Sequence, residues 1–424
     1  MRITVVGGGS TYTPELVEGF ARRAAVLPVD ELVLHDVDAG RLRVVGGLAE
    51  RILRRSGFPG RLVTTTNLAA AVEGAAAVLV QLRVGGQGTR LLDETIPNRF
   101  GLIGQETTGA GGFAKALRTV PVVLDIADHV RRLAGPDAWI VDFTNPVGIV
   151  TRQLLDAGHR AIGLCNVGIG FQRRLAGMFG VEPERVRLGH AGLNHLSWIR
   201  SVQVDGVDRL PELLAPERAA ELAEEVRLPP ELLTTLGAVP SYYLHYYYCT
   251  DDELRRQRAG EHRAERVLEI ERELLTMYAD PALDRQPELL TQRGGAYYSE
   301  AAAALVTSLL TGDGAHHYVN LRNGGLIAGL GAQDVVEVAA VVDRDGAHPL
   351  PVPPLPPEQL GLVQAATAYE VLAGEAARTG DRAVALRALV ANPVVRQWEP
   401  ARAVLGALLE AHAEHLPLFA RGDR

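Results

Sequence analysis

Cys165 and His195 are the two side chains that most directly suggest a chemical centre. Cys165-Asn166 follows the apolar segment 161–164, and His195 closes Gly192-Leu193-Asn194-His195, thirty residues on. A thiolate and an imidazole from separate segments can hold a divalent metal and leave positions open for substrate hydroxyls. Spacing alone equally allows a buried cysteine and a hydrogen-bonded histidine. A second group is Gly7-Gly8-Gly9-Ser10-Thr11, between an apolar run at 3–6 and a helical stretch. Glycines there let the backbone approach a pyrophosphate, and the helix N-terminus offers unpaired N–H groups. Tyr12 stands where the third glycine of G-x-G-x-x-G would fall. Asp36, after a second apolar run, is placed to accept hydrogen bonds from a ribose diol. Its charge opposes a 2′-phosphate, which favours NAD, while nearby Arg41 keeps NADP open. The alternative for this group is a glycine-rich turn with a helix-capping aspartate.

These residues need elements to position them. The run at 3–6 reads as a buried strand, and 13–25 as a helix with Thr13 as N-cap, Pro14 first and Glu15 in the first turn. Strands are expected at 31–35, 61–65, 77–82 and 139–143, and helices at 41–55 and 117–133. Strands alternating with helices over residues 1–165 specify an α/β, Rossmann-type doubly wound parallel sheet. Asp36 and Cys165-Asn166 then sit at carboxyl ends of strands, where open sheets bind ligands. Beyond residue 200, helical stretches at 216–226 and 251–278 flank a tyrosine cluster at 242–248, most of which reads as core. A helix at 299–310, strands at 318–321 and 335–342 and a proline-dense loop at 349–357 follow. The expected division is a dinucleotide-binding domain over 1–195. A second α/β, largely helical domain over 196–424 carries the substrate and metal site and the oligomer contacts.

Composition narrows the classes. The 424 residues carry a net charge of −8 and no Lys/Arg block, which speaks against nucleic acid and anionic membranes. No apolar run reaches the roughly 18 residues that a membrane span needs. Two cysteines, Cys165 and Cys249, make no disulfide framework, which fits a reducing cytoplasm. Lys115 is the sole lysine, so Schiff-base, pyridoxal-phosphate and P-loop chemistry mostly fall away. Any phosphate site must be built from arginine, backbone or polar groups.

Five strings occur in order: Val6 to Glu15, Gly104-Gln105-Glu106-Thr107-Thr108-Gly109, Phe143-Thr144-Asn145-Pro146, Gly163-Leu164-Cys165-Asn166-Val167 and Gly192 to Ser197. With Arg293-Gly294-Gly295 they resemble glycoside hydrolase family 4, nearly end to end, and most closely its 6-phospho-β-glucosidase branch. The resemblance implies a hydrolysis unlike the two-carboxylate route. Bound NAD⁺ takes hydride from sugar C3, a base takes the acidified C2 proton, and a divalent metal, typically Mn²⁺, stabilises the enolate. The aglycone leaves, water adds and the hydride returns.

The same resemblance implies that Cys165 and His195 hold the metal and that Tyr243 is the base, activated by the nearby cation. Gly7, Gly9, Ser10, Thr11, Asp36 and Asn145 belong to the cofactor site. Asn145 and Asn166 meet substrate or cofactor, and Arg90 and Arg293 a sugar phosphate. The chain departs from the family pattern at Gly168, Gly170, His190-Ala191, His245 and Gln87, so a plain sugar stays open beside a phosphorylated one. Family members form homodimers or homotetramers. Two other readings remain: an NAD-dependent hydroxy-acid or sugar dehydrogenase, and a non-catalytic NAD- and sugar-binding sensor.

Overall fold

The first apolar run forms β1 (Arg2–Val6), with Ile3 and Val5 fully buried, as a strand covered on both faces requires. Then come α1 (Thr13–Arg22), β2 (Glu31–His35), α2 (Ala39–Arg55), β3 (Arg61–Thr65), α3 (Leu68–Val72) and β4 (Ala77–Val80). These lead into α4 (Gly86–Thr95), α5 (Gly109–Leu133), β5 (Trp139–Asp142), α6 (Val147–Asp156), β6 (Ala161–Leu164) and α7 (Val167–Phe179). The structure, a computed structural model, describes residues 1–260, 262–294 and 297–421; Gly295 of the Arg293-Gly294-Gly295 string lies outside them.

Strands β1 to β6 are parallel, in the order β3-β2-β1-β4-β5-β6. This is the expected doubly wound α/β sheet, reversing direction between β1 and β4. β4 sends Val78 and Val80 into one apolar layer and Ala77 and Leu79 into the other. The first layer is closed by α5, α6 and helices Pro357–Thr379, Arg382–Ala391 and Trp398–Ala411. The second is closed by α1, α2 and helices Arg263–Tyr278 and Tyr298–Thr311. Among the described residues no helix is long and apolar enough to cross a membrane.

The second half extends the same sheet through β7 (Val186–Leu193), β8 (Leu196–Val204), β9 (Val207–Asp208), β10 (Val239–Pro240), β11 (Ala315–Arg322), β12 (Val335–Asp343) and β13 (Gly346–Pro349). β11 lies antiparallel to β6, and β12, β7, β8 and β10 follow outward. Asn320 of β11 therefore pairs with Gly163, and Glu337 of β12 with Gly192. This register carries the segment holding His195 toward the end of β6.

Three local expectations need correction. Thr13 does not cap α1: the helix begins there, Tyr12 is the N-cap, and the Thr13 hydroxyl accepts from Gln81 Nε2 at 2.9 Å. The helix expected from 117 begins at Gly109. Gly111 and Gly112 are poor helix formers, but a Cβ on them would lie 2.3 Å from Gln105 O and 2.4 Å from Thr107 C. Close packing against the 105–107 loop outweighs propensity. The β7–β8 hairpin was not anticipated.

Candidate active site

The loops after β1, β2, β4 and β5 surround a crevice of about 730 Å³ at the carboxyl ends of the parallel strands. Gly7 has φ +90°, and a Cβ there would lie 2.2 Å from Gln81 O. Gly9 N donates to Asp36 Oδ2 at 2.8 Å, and Asp38 N to Asp36 Oδ1 at 3.0 Å. The N-cap of α2 is Asp38, which accepts from Gly40 N and Arg41 N, both at 2.9 Å. Asp36 is thus not the helix cap and lines the crevice, with Gly7, Gly9, Ser10 and Asn145. Asn145 Oδ1 is buried without a partner. Thr11 is fully buried, its carbonyl accepting from Tyr278 OH at 2.8 Å. Arg41 donates to Gly9 O at 3.2 Å and lies 3.5 Å from Glu271. A backbone cradle, a carboxylate at the end of β2 and an unpaired amide oxygen suit a dinucleotide.

Tyr298 joins this crevice to a buried centre: it lines the crevice and its hydroxyl donates to Cys165 Sγ at 3.7 Å. Cys165 directly follows β6. His195 is the second residue of the two-residue turn between β7 and β8, with φ +62°, a left-handed conformation uncommon outside glycine. Both are buried. His195 Nδ1 lies 3.0 Å from Thr107 Oγ1, while Nε2 has no partner. The ring stacks on Tyr243, centroids 3.5 Å apart and planes 13° from parallel.

Burial pulls His195 down to about 4, so the imidazole is neutral. Burial and then Glu337 push the Cys165 thiol up to about 12, and burial and then Tyr242 push the Tyr243 phenol well above its usual 10. Cys165 donates to Asn166 Oδ1 only at 3.9 Å. A bare Nε2 and a buried thiol fit a divalent cation, whose charge would displace the thiol proton. Among the described residues no cluster of three His, Cys, Asp or Glu could hold a metal, so further ligands would come from substrate or water.

The candidate phosphate residues do not share one cavity. Arg90 faces a polar cavity of about 520 Å³, and Arg293 faces the nucleotide crevice. Arg90 Nε donates to Glu94 at 2.8 Å, and Nη2 lies 3.3 Å from Glu106. Arg293 pairs with Glu271 and stacks over Tyr12 at 4.0 Å. Glu106 also binds Arg83, and Lys115 at 2.8 Å. Burial alone would raise this carboxyl, but Arg83, Arg90 and Lys115 hold it well below its usual value. Burial and then Arg83 pull Lys115 down to about 7. Glu106 and Lys115 were not singled out for this cluster from the sequence, although the first lies in a quoted string and the second is the sole lysine.

The departures from the family pattern have structural partners. A Cβ on Gly168 would lie 2.4 Å from Tyr318 Cβ, and the His190 ring lies 5.6 Å from the Tyr318 ring. One ring thus accommodates both departures, and proline at 168 would collide with it. His190 Nε2 lies 2.8 Å from Glu337 Oε1; Glu337 Oε2 accepts from Asn194 at 2.9 Å and Asn320 at 3.1 Å. His245 is buried 3.5 Å from Glu253, and Gln87 donates to Glu271 at 3.0 Å.

Comparison with known proteins agrees with this architecture. The family 4 glycosyl hydrolase model matches residues 2–181, and the model of that family's C-terminal domain matches 190–395. A probable 6-phospho-β-glucosidase of Bacillus subtilis is 40% identical, covering 99% of this chain and 98% of its own. The 6-phospho-β-glucosidase of Escherichia coli K12 is 36% identical, covering 99% and 97%. A Thermotoga maritima 6-phospho-β-glucosidase, solved with manganese, NAD⁺ and glucose-6-phosphate, superposes with a TM-score of 0.91 at 36% identity, covering 98% of this chain and 99% of that one. The chain belongs to family 4 of the glycosyl hydrolases.

Proposed function

We propose that the protein hydrolyses 6-phospho-β-glucosides by a redox-neutral elimination that uses NAD⁺ and a divalent metal, Mn²⁺ in the first instance. The observation that carries this reading is the continuity of the two sites. Tyr298 touches both the dinucleotide crevice and Cys165, so a sugar between them would face cofactor and metal together. The full-length relatives named for this activity, and the Thermotoga protein solved with those three ligands, support it.

In this reading Gly7, Gly9, Ser10, Thr11, Asp36 and Asn145 form the cofactor site, and Cys165 and His195 hold the metal. When bound, these groups supply a reversible hydride acceptor at sugar C3 and positive charge beside the C2 and C3 oxygens. Tyr243, stacked on His195, takes the C2 proton at its phenol oxygen, exchanges it with the water that enters for addition, and returns a solvent-derived proton to C2. Its burial raises the phenol and makes activation by adjacent positive charge necessary. Asn145 and Asn166 orient the sugar hydroxyls. To be held by both Arg90 and Arg293, which line separate cavities, the 6-phosphate would have to draw their guanidinium groups from Glu94, Glu106 and Glu271, and Arg83 and Lys115 add charge at the crevice wall. In a division at 1–195 and 196–424, the first part holds the nucleotide together with Cys165 and His195, and the second supplies Tyr243, Arg293 and the contacts of a cytoplasmic homodimer or homotetramer.

The test compares aryl 6-phospho-β-glucoside with the plain aryl β-glucoside, each with NAD⁺ and Mn²⁺ present or withheld. Release from the phosphorylated compound alone, requiring both additions, is expected. Release from the plain glucoside alone overturns the phosphate requirement, and no dependent release from either overturns the glucosidase reading.

A further inference from the structure

The loop leading into α5 carries a hydrogen-bond chain whose direction follows from valence. One side-chain atom of Gln105 lies 2.5 Å from Thr107 N, 2.6 Å from Thr108 N and 2.8 Å from Thr107 Oγ1. Two backbone N–H groups point at it, so it is the amide oxygen; an NH₂ there would set donor against donor. That oxygen can only accept, so the Thr107 hydroxyl gives it its single proton. Thr107 Oγ1 has only lone pairs left for His195 Nδ1, 3.0 Å away, and Nδ1 must therefore carry a hydrogen. The lone pair of the neutral ring then falls on Nε2, the buried atom without a partner.

We infer that Gln105 and Thr107 fix the Nδ1–H tautomer of His195 and present Nε2 as the ligand atom, which makes Thr107 a positioning residue for the divalent cation. Metal-binding histidines commonly have their second nitrogen held by a carboxylate or carbonyl. Here a hydroxyl does this, and the amide of Gln105 sets the sense of that hydroxyl. Gly111 and Gly112 let α5 pack directly on the backbone of Gln105 and Thr107. The turn backbone of His195, at φ +62°, fixes the other end of the chain. The metal consequence rests on the proposed role of His195; the tautomer does not.

The experiment has two readouts. Ring ¹⁵N shifts of histidine-labelled, metal-free protein report the tautomer, with His195→Asn assigning the signal. Mn²⁺ binding, followed by the electron paramagnetic resonance of the free ion in the presence of NAD⁺, reports the metal. Wild type is expected to show protonated Nδ1 and bare Nε2. Thr107→Val, which keeps shape but loses the hydroxyl, is expected to mix the tautomers and weaken Mn²⁺ binding about 10- to 100-fold with NAD⁺ affinity unchanged. Thr107→Ser is expected to restore both signals. Protonated Nε2 in the wild type overturns the inference even if Thr107→Val fails to fold. Thr107→Val with wild-type tautomer and Mn²⁺ affinity also overturns it. A tautomer shift in Thr107→Val with no Mn²⁺ binding by the wild type upholds the tautomer device and overturns the metal reading instead.

Discussion

Replacing Gly9 with alanine isolates the contact between the first turn and Asp36. Gly9 is outside the positive-φ region, so alanine fits its backbone and the cost is steric. The added Cβ would lie 2.7 Å from Asp36 Oδ2 and 2.9 Å from its Cγ. Carbon–oxygen contacts begin near about 3.3 Å, so the carboxylate must retreat by roughly 0.6 Å. That retreat breaks the 2.8 Å bond from Gly9 N and moves the acceptor proposed for the ribose diol. A hydrogen bond to a charged group contributes about 1.5–3 kcal/mol net, so NAD⁺ affinity should fall about 10- to 100-fold. Gly47→Ala is the control: its Cβ meets only the flexible end of Arg51 at 3.4 Å, within α2. It should leave NAD⁺ binding alone and stabilise the fold by about 0.5–1 kcal/mol. Calorimetric titration with NAD⁺ and thermal melts of both variants provide the assay. Wild-type NAD⁺ affinity in Gly9→Ala would refute the reasoning, as would a loss explained entirely by unfolding.

Two further perturbations address the polar interior. Glu337→Leu leaves His190, Asn194 and Asn320 without their acceptor and should cost about 3–5 kcal/mol in denaturant unfolding, whereas Glu337→Gln keeps one oxygen for the two asparagines and should cost far less; equal losses would contradict the network. Burial alone would raise the Glu253 carboxyl, but His245 beside it at 3.5 Å, a hydrogen bond from Gln257 and the charge of Arg256 hold it at about 2. A carboxyl depressed on folding stabilises the protein above its ordinary value of 4.5, and that contribution is lost as pH falls toward 2. Glu253→Gln should narrow its stability deficit to wild type across that window in melts against pH, and a constant deficit would contradict the assignment.

The candidate dinucleotide crevice was legible because its signals are local. The run at 3–6, the glycines after it and Asp36 at the end of the next strand each follow from a few neighbouring residues. The two residues proposed to hold the metal were legible as residue types but not as neighbours. The segments that carry Cys165 and His195 are related only through the antiparallel extension β6-β11-β12-β7, and the hairpin over 186–204 went unread. Its strands are buried on both faces for much of their length, so they lack the alternation that marks a half-exposed strand. The role of Thr107 was invisible for another reason. It depends on Gly111 and Gly112, which lie before the helix expected from 117 and let α5 pack on the 105–107 loop. Arg90 and Arg293 show the limit of residue type: an arginine announces an anion, but only the fold shows which carboxylates already hold it.

The central claim is that turnover is redox-neutral and passes through exchange of the C2 proton at Tyr243. It is tested most directly by running the reaction on a 6-phospho-β-glucoside in D₂O with NAD⁺ and Mn²⁺. The product is read by NMR while NADH absorbance is followed. The account predicts deuterium at C2 of the released sugar phosphate and no NADH accumulating with turnover. Product that keeps its C2 hydrogen, or NADH rising in step with product, would contradict it.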